Sequence, residues 1–376
     1  MKSYIKNYDL EITTLGAVFI GSGYNTNKKE ALFGRKQISF IDTKKMFDYL
    51  MDKKLIRAYQ DYILDINQDL QAFFKNMNIP REKYEEWITR KIQLADIDEE
   101  KGSVEQRGID MFVRDSRGNV YVPGSSIKGM IRTILVGAYF LKNKDKSNKW
   151  RSIVDRELAT KKRDFLNKID SSMKRLIEDI ETEVFNKNFY EKTELKNKVN
   201  DSLRGLIVSD SEIISDKNMC ICQKIDVSTS GKETKLPLFR ECISPMTKIN
   251  FNISIDTKVC PYTINNILEA IELVYKNNKE KFDDSFSRKT NYALKRLLYL
   301  GGGSGFVDKT IIYSLFDKKN AVNYTREWLN MQFPKAKHDN DIDVSPRKIK
   351  YTKHQNKDYR MGLCVLNKVH EKVLKD

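Results

Sequence analysis

The segment from Thr247 to Asp256 constrains the fold more than any other stretch of the chain. Its residues alternate, with apolar side chains at Ile249, Phe251, Ile253 and Ile255 and polar side chains between them. Because successive side chains of a β-strand point to opposite faces, this period of two predicts a strand with one face in a core and the other in water. The protein must therefore contain a sheet that is covered on one side.

Similar signals predict further strands and helices in both halves of the chain. Alternating or β-branched runs predict strands over residues 8–14, 37–41, 111–113, 120–122, 206–210, 348–352 and 362–366. Helix starts are predicted at residues 42–43, 123–126 and 263, and a further helix over 285–300. The strand–helix–strand order in both halves predicts an α+β fold of two ferredoxin-like (RRM-like) domains, with the last two strands completing the second sheet.

Two charged, helical stretches interrupt the first of these domains. Residues about 43–105 carry a shallow apolar stripe at helical spacing, and residues about 140–200 are lysine-rich with a second stripe. We interpret both as insertions, which either decorate a core or contact a neighbouring subunit. The predicted division is an N-terminal domain of residues 1–217 and a C-terminal domain of residues 218–376 that carries a glycine-rich loop.

The charge balance favours a polyanionic partner. Lysine and arginine number 68 against 52 aspartate and glutamate residues, a surplus of 16 positive charges. Such a surplus attracts nucleic acid more than an acidic small molecule. A lysine-rich composition without functional meaning is the alternative, and only the placement of the charges decides between the two.

Neither a membrane nor a zinc site is expected. The chain has no run of about eighteen apolar residues and no apolar signal-peptide core at its start, which predicts a cytoplasmic protein without membrane contact. Five cysteines include one close pair, Cys220 and Cys222, whose spacing does not match a zinc knuckle. We expect free, buried thiols and no cofactor.

A phosphate site is predicted where the helix after Pro123 begins. Free backbone N–H groups and the helix dipole favour an anion there, and Gly124, Ser125 and Ser126 supply amides and hydroxyls. Lys128 and Arg132 follow one turn apart on the same face. The alternative is an ordinary capped helix with two solvated charges. The spacing does not fit a Walker A loop, so ATP binding is not expected.

Two other loops combine glycine with nearby cations. A flexible loop at residues 21–23 precedes several basic residues, and a second loop at residues 301–305 precedes a lysine. Glycine lets a backbone approach another backbone closely, and the alternative is a loop that only turns the chain. The residues concerned are Gly21, Ser22, Lys28 and Arg35 in the first case and Gly301, Gly302, Gly303, Ser304, Gly305 and Lys309 in the second.

The sequence does not favour catalysis. All three histidines, at positions 338, 354 and 370, lie near the C-terminus, and no nucleophile–histidine arrangement is indicated by local order. The carboxylates Asp9, Glu11, Asp110 and Asp210 are candidate metal ligands, but ordinary sheet-end and turn residues explain them better because no ligand spacing supports a site. We therefore predict neither a catalytic nor a metal site.

Five motifs resemble those of the CRISPR repeat-associated mystery proteins, or RAMPs. Residues 14–23 resemble the first strand and loop of that family, and the sequence YVPGSSIKGMIRT at residues 121–133 resembles its helix start. Residues 206–211, 238–248 and 301–309 are similar to its later strand, second-domain start and glycine-rich loop. Phe19 departs from the family pattern, which often has histidine there.

The order of these motifs, with the extra helices, resembles the family of fifth subunits of the type III-A Csm effector complex. The resemblance implies a non-catalytic protein in antiviral defence that caps the complex, covers the 3′ part of the guide (CRISPR) RNA and supports its maturation. Its implied partners are guide RNA, the backbone RAMP subunit, the small subunit and host ribonucleases. The alternative is a RAMP-type endoribonuclease acting on guide precursor or target RNA, which the late histidines disfavour. The predicted RNA contacts are the residues of the three loops above together with Arg240 in the 238–248 motif.

Overall fold

The computed structural model describes residues 4–100, 102–163, 170–186, 200–289 and 292–372. Part of the predicted insertion at 140–200 lies outside these residues. The strands are β1 (Ile5–Thr14), β2 (Gly21–Thr26), β3 (Ala31–Phe33), β4 (Gln37–Ile41), β5 (Ile88–Leu94), β6 (Ile109–Phe112), β7 (Leu206–Val208), β8 (Met219–Ser228), β9 (Glu233–Ile243), β10 (Lys248–Asp256), β11 (Leu297–Tyr299), β12 (Lys348–His354), β13 (Lys357–Arg360) and β14 (Leu363–Lys372). The helices are α1 (Thr43–Asp52), α2 (Ile56–Leu64), α3 (Leu70–Asn76), α4 (Arg81–Glu85), α5 (Val104–Arg107), α6 (Gly124–Lys142), α7 (Lys144–Arg163), α8 (Asp170–Phe185), α9 (Ile264–Lys281), α10 (Ile312–Leu315) and α11 (Lys318–Gln332).

The smaller sheet is antiparallel, in the order β11-β14-β1-β10-β7. The predicted alternating strand is confirmed as β10, whose four apolar side chains are buried. On β1, Leu10 pairs with Phe251 and Ile12 with Ile249, so the two central strands present a continuous apolar face. Helices α6 and α9 pack on each other and contact the edge strands β7 and β11.

Helix α9 begins where its sequence predicts. The Thr263 hydroxyl accepts a hydrogen bond from the Asn266 amide, and the Asn266 side chain accepts one from the Thr263 amide, which forms a capping box. Ile264, Ile267 and Ile271 then fall on one buried face. Helix α1 is likewise confirmed, with a side-chain cap from Asp42.

The larger sheet follows the path β2-β6-β9-β8-β5-β4-β3, with β12 beside β8 and β13 beside β12. Strands β2 and β3 lie at opposite ends of this path, yet only four residues connect Thr26 to Ala31. Such a connection reaches at most about 18 Å, whereas seven strands in a flat sheet would hold their edges roughly 29 Å apart. The sheet is therefore curled.

Helices α1–α4 form a separate core beside this sheet, as the prediction of a helical insertion requires. Its buried residues are Ile41, Met46, Leu50, Tyr62, Leu70, Phe73, Phe74, Ile79 and Trp87. The prediction that the helical insertion continues to residue 105 is wrong, because Ile88–Leu94 forms β5 between β4 and β8. Every second residue of β5 is more buried than its neighbours, namely Ile88, Arg90, Ile92 and Leu94. The sequence of this segment therefore has the period of two that is typical of a strand.

Other sequence predictions also need correction. The helix predicted over residues 285–300 is wrong, because the described residues from Phe286 to Leu300 form no helix and Leu297–Tyr299 is a strand that pairs with β14. A short apolar run does not distinguish a helix from a strand. Of the two strands predicted to form a hairpin, residues 111–113 overlap β6. The other, residues 120–122, makes only isolated bridges from Val120. The predicted flexible loop at residues 21–23 belongs to β2, which pairs with β6. The last two predicted strands exist but lie in different sheets, β12 in the larger and β14 in the smaller.

The predicted fold class, an α+β protein with two sheets and helical insertions, is confirmed. Each sheet combines strands from before and after residue 217, and the division into domains at that residue stays a prediction. The five cysteines are buried and form no disulfide with one another, as expected.

Candidate nucleic-acid interface

The glycine-rich loop lies directly against the segment that follows β1. The Gly302 amide donates a hydrogen bond of 2.5 Å to the Phe19 carbonyl. Gly301 has a φ of +78°, and a Cβ there would lie 2.3 Å from the Phe19 carbonyl oxygen. Only glycine satisfies both the positive φ and the close backbone contact. The structure thus joins the 301–305 loop to the 14–23 motif.

Arg240 of β9 brings a third motif to the same place. Its guanidinium carbon lies 4.8 Å from the centroid of the Phe19 ring, and a Cβ on Gly303 would lie 2.7 Å from its Nη1 atom. Its Nε atom is 3.5 Å from a carboxylate oxygen of Asp110, which is an ion pair without a hydrogen bond. Among the described residues, Nε and Nη1 of Arg240 have no hydrogen-bond partner although both atoms are buried. A guanidinium with free donors is prepared to bind an anion.

Lysines on neighbouring strands extend this positive charge. Lys350 lies opposite Asp226 in the β12–β8 register, and Arg240 lies opposite Cys222 in the β8–β9 register. Since side chains alternate along a strand, Lys224 falls between these positions on the same face. Lys348 lies two residues before Lys350 and therefore shares that face. We call the set Lys224, Arg240, Lys309, Lys348 and Lys350 the cationic face.

The cations of this face perturb each other. Burial and the charges of Lys350 and Arg240, opposed by Asp226, together lower the pKa of Lys224 to about 8. Burial also lowers the pKa of Lys309, with Arg240 adding to the effect. Asp226 compensates part of the charge through Lys350, at 2.7 Å. An anion bound here would relieve the remaining repulsion.

Two buried ion clusters hold the cationic face in position. Glu241, which follows Arg240, is fully buried; its side chain accepts hydrogen bonds from the Phe112 amide at 3.0 Å and from Arg114 at 2.5 Å, which ties β9 to β6. Behind the glycine loop, the buried Arg360 guanidinium lies 3.4 Å from Asp308. Burial raises the pKa of Asp308 to about 7. These contacts fix the strand and the loop that flank Arg240.

The predicted phosphate site at the start of α6 is occupied by contacts within the protein. The Gly124 amide donates to the Asp210 carboxylate at 2.8 Å, and a Cβ on Gly124 would lie 2.3 Å from the Val208 carbonyl oxygen. Arg132 pairs with Glu181 at 2.8 Å and with Asp201 at 2.6 Å. These contacts direct Arg132 toward α8.

Lys128 points to the same side of α6. Burial lowers its pKa, against the opposing charge of Asp201. Binding of RNA by Ser125, Ser126, Lys128 and Arg132 stays a prediction.

The remaining predicted contacts occupy other positions. The Ser22 hydroxyl donates to the Met111 carbonyl at 3.1 Å, and Ser304 is buried. The Lys28 ammonium donates to the Asn67 carbonyl at 3.0 Å, toward the helical insertion. Arg35 is exposed in the turn between β3 and β4. The structure therefore unites Gly21, Arg240, Gly301–Gly303 and Lys309 but places the α6 set and the Lys28–Arg35 set elsewhere.

Sequence reasoning misses three residues of the cationic face. Lys224, Lys348 and Lys350 belong to none of the motifs, although the alternation of Lys348, Ile349, Lys350 and Tyr351 predicts two lysines on one side of a strand. What the sequence does not give is the partner strand. Only the β12–β8 register brings these lysines toward Arg240.

Two further kinds of feature were predicted to be missing, and the described residues bear on each. Within the described ranges, no group of three or more His, Cys, Asp or Glu side chains is placed to hold a metal ion. Of the helices that the structure describes, none has the length and apolar character needed to cross a membrane. His338 bonds with Asp341 at 2.8 Å through Nδ1.

The two sheets, which meet where the glycine loop packs on Phe19 and Arg240, belong to a protein of the RAMP superfamily. The model of that family matches residues 11–307, most of the chain, and the chain belongs to it. The particular relatives are Csm5 proteins. A Streptococcus thermophilus protein named CRISPR system Cms protein Csm5 is 28% identical over 319 residues, covering 83% of this chain and 82% of the relative. A Mycobacterium tuberculosis protein of the same name is 26% identical over 404 residues, covering 98% and 99%.

Solved structures agree on the fold. The crystal structure of T. onnurineus Csm5 has a TM-score of 0.63 at 17% identity and covers 95% of this chain and 100% of its own. A chain of a Csm–crRNA–target RNA ternary complex from a type III-A CRISPR-Cas system has a TM-score of 0.62 at 18% identity, covering 96% and 100%. At these identities the likeness establishes the fold alone. The resemblance predicted from the motifs is confirmed.

Proposed function

We propose that this protein is a non-catalytic, guide-RNA-binding subunit that caps a type III-A Csm complex. Membership of the RAMP superfamily and the names of its relatives support this assignment. The observation that carries it is Arg240, whose buried Nε and Nη1 donors have no hydrogen-bond partner among the described residues. They lie in a cationic face where three family motifs meet.

The cationic face would hold the RNA through its phosphates. Arg240 supplies two donors in a fixed plane, and the lysines supply charge without geometric selectivity. Because Gly301–Gly303 carry no side chains, this loop packs closely on Phe19 and Arg240 and holds Arg240 at the binding surface. Contacts of this kind position an RNA strand without identifying its bases. Coverage of the 3′ part of the guide is compatible with such sequence-independent binding.

The proposed assembly has further partners. In this proposal, the capping subunit contacts the backbone RAMP subunit and the small subunit of the complex. It supports maturation of the 3′ end of the guide by recruiting host ribonucleases. The protein itself contributes no cleavage in this proposal. Purified protein incubated with repeat RNA should leave it intact both with and without Mg²⁺. Cleavage would favour the endoribonuclease alternative.

Replacement of Arg240 tests the proposal directly. In Arg240→Gln the side chain remains polar but loses its charge and its forked donors. Charged hydrogen bonds contribute about 1.5–3 kcal/mol, so we expect affinity for a single-stranded guide RNA to fall roughly 10- to 100-fold. The slope of log K against log salt should decrease by about 0.7 for each phosphate that the variant no longer binds. Fluorescence anisotropy over a salt series measures both quantities.

The matched control is Lys142→Gln. Lys142 is an exposed cation at the end of α6, 3.5 Å from Glu269, and belongs to no predicted RNA contact. Its replacement removes the same charge and should leave affinity within twofold. Equal affinities of Arg240→Gln and the natural protein, with equal melting temperatures, would contradict the proposal.

A further inference from the structure

A groove with a volume of about 520 Å³ opens at the ends of several strands of the larger sheet. This volume falls in the range of about 300–1,000 Å³ that is typical of pockets for small ligands. Its walls come from the end of β5, the turn before β8, the turn after β9 and the β12–β13 hairpin. Four separate segments thus build it on a rigid frame.

The polar wall of the groove offers neutral hydrogen-bonding groups. The Nδ1 atom of His354 is buried and has no hydrogen-bond partner in the described part of the chain. Burial lowers the pKa of this imidazole, which is therefore neutral at pH 7 despite the nearby charge of Asp96. Asn218 and Gln355 also line the groove, whereas the Gln93 side chain donates a hydrogen bond to Gln37 at 3.0 Å. Amides and a neutral imidazole present both donors and acceptors.

The charge of the groove distinguishes it from the cationic face. Lys217 and Asp96 are the two charged side chains among its described lining residues, and they have opposite signs. A phosphate gains little from such a balanced wall, whereas a neutral heteroaromatic ring can use the donors and acceptors. The chemistry therefore favours the edge of a base over a phosphate group.

Two further side chains give the groove apolar surfaces. Tyr359 lines it from the hairpin, and Met246 stands at its rim with 68% of its surface exposed. Met246 has a φ of +65°, and its amide donates to the Thr14 carbonyl at 2.6 Å, which fixes this left-handed conformation. Such strain is tolerated at positions that bind ligands. Aromatic rings and thioethers both pack well on the faces of bases.

We propose that this groove seats a single nucleobase of a bound RNA strand, with Tyr359 and Met246 at its faces and His354 and the amides at its edge. The inference rests on the proposed RNA binding and adds to it a contact with one base. Arg240 and Ser244, a lining residue, are four residues apart on the β9 segment, which corresponds to roughly 13 Å. This distance is short enough for one strand of RNA to span.

The test uses Tyr359→Ala with two kinds of guide-length RNA. The first kind is intact. The second kind is a series in which each RNA has an abasic site at a different position, so that one RNA of the series lacks the base that enters the groove. Base–aromatic stacking predicts that Tyr359→Ala weakens binding of intact RNA about 5- to 100-fold. The abasic position that weakens the natural protein should have no further effect in the variant. Tyr359→Phe, which keeps the ring, should bind as tightly as the natural protein. Equal melting temperatures of Tyr359→Ala and the natural protein would show that loss of binding is not a folding defect.

Tyr4→Ala is the matched control, because Tyr4 is an aromatic residue with 46% exposure at the start of β1. It should not alter binding. If Tyr359→Ala and the natural protein bind intact RNA with equal affinity, the groove is not a base site. The same result is expected if a protein partner occupies the groove, and it would also overturn the proposal. That failure is distinct from failure of the proposed function, since Arg240→Gln would still weaken every RNA in the series.

Discussion

At the scale of single residues, the charge state of Lys224 connects the structure to solution behaviour. This lysine is half-buried among Lys350, Arg240 and Asp226, and its pKa is lowered to about 8. A lysine carries its charge below its pKa and loses it above. A bound phosphate stabilises the charged form, so RNA binding must raise the pKa and take up protons when the pH is near 8.

We therefore predict that RNA affinity is level between pH 6 and 7 and falls as the pH rises through 8. Lys224→Arg should remove this fall, because a guanidinium stays charged throughout that range. Anisotropy titrations from pH 6 to 9 at constant ionic strength measure the effect. If Lys224→Arg and the natural protein lose affinity in parallel, Lys224 is not part of the binding surface.

Residue chemistry is predictable from the sequence only in part. Arg240 is identified through its motif, whereas Lys224 and Lys350 depend on a strand register that no local pattern encodes. Arg132 illustrates the converse limit. Its spacing from Lys128 fits a phosphate site, but the carboxylates that pair with it come from Glu181 and Asp201, far along the chain.

At the scale of elements, the sequence predicts those structures whose signals are local. Strand β10 and helix α9 follow from strict alternation and a capping box. Strands β5 and β11 escape prediction because their short apolar runs also fit helices, and pairing with β4 and β14 decides their structure. The glycine loop is evident in the sequence, but its docking on Phe19 is not.

That docking gives a prediction with a matched pair of variants. Gly301 and Gly23 have φ values of +78° and +83°, but a Cβ would overlap the Phe19 carbonyl only at Gly301 and would meet open space at Gly23. Gly23→Ala should lower the free energy of unfolding by about 1–2 kcal/mol through backbone strain alone. Gly301→Ala should lower it by more and also weaken RNA binding. Urea denaturation and anisotropy measure the two effects, and equal behaviour of the variants would contradict the described loop contact.

At the scale of the whole molecule, both sheets join strands from distant parts of the chain. Strand β1 pairs with β10 and β14, and β6 and β5 pair with β9 and β8. Periodicity locates such strands but does not choose their partners, which is why the order within each sheet could not be predicted. The fold class was predictable because motif order and element type suffice for it. The surplus of positive charge points to a binding surface only because this topology places part of it on one face.

Three motifs from separate parts of the chain are proposed to form a single surface for guide RNA. Ultraviolet crosslinking of the full-length protein to single-stranded guide RNA, with peptide mapping by mass spectrometry, tests this claim most directly. We predict crosslinked peptides that contain Phe19, Arg240, the 301–305 loop and the lysines of β12. Crosslinks confined to the open face of the smaller sheet, around Asp9, Asn250 and His370, would contradict it.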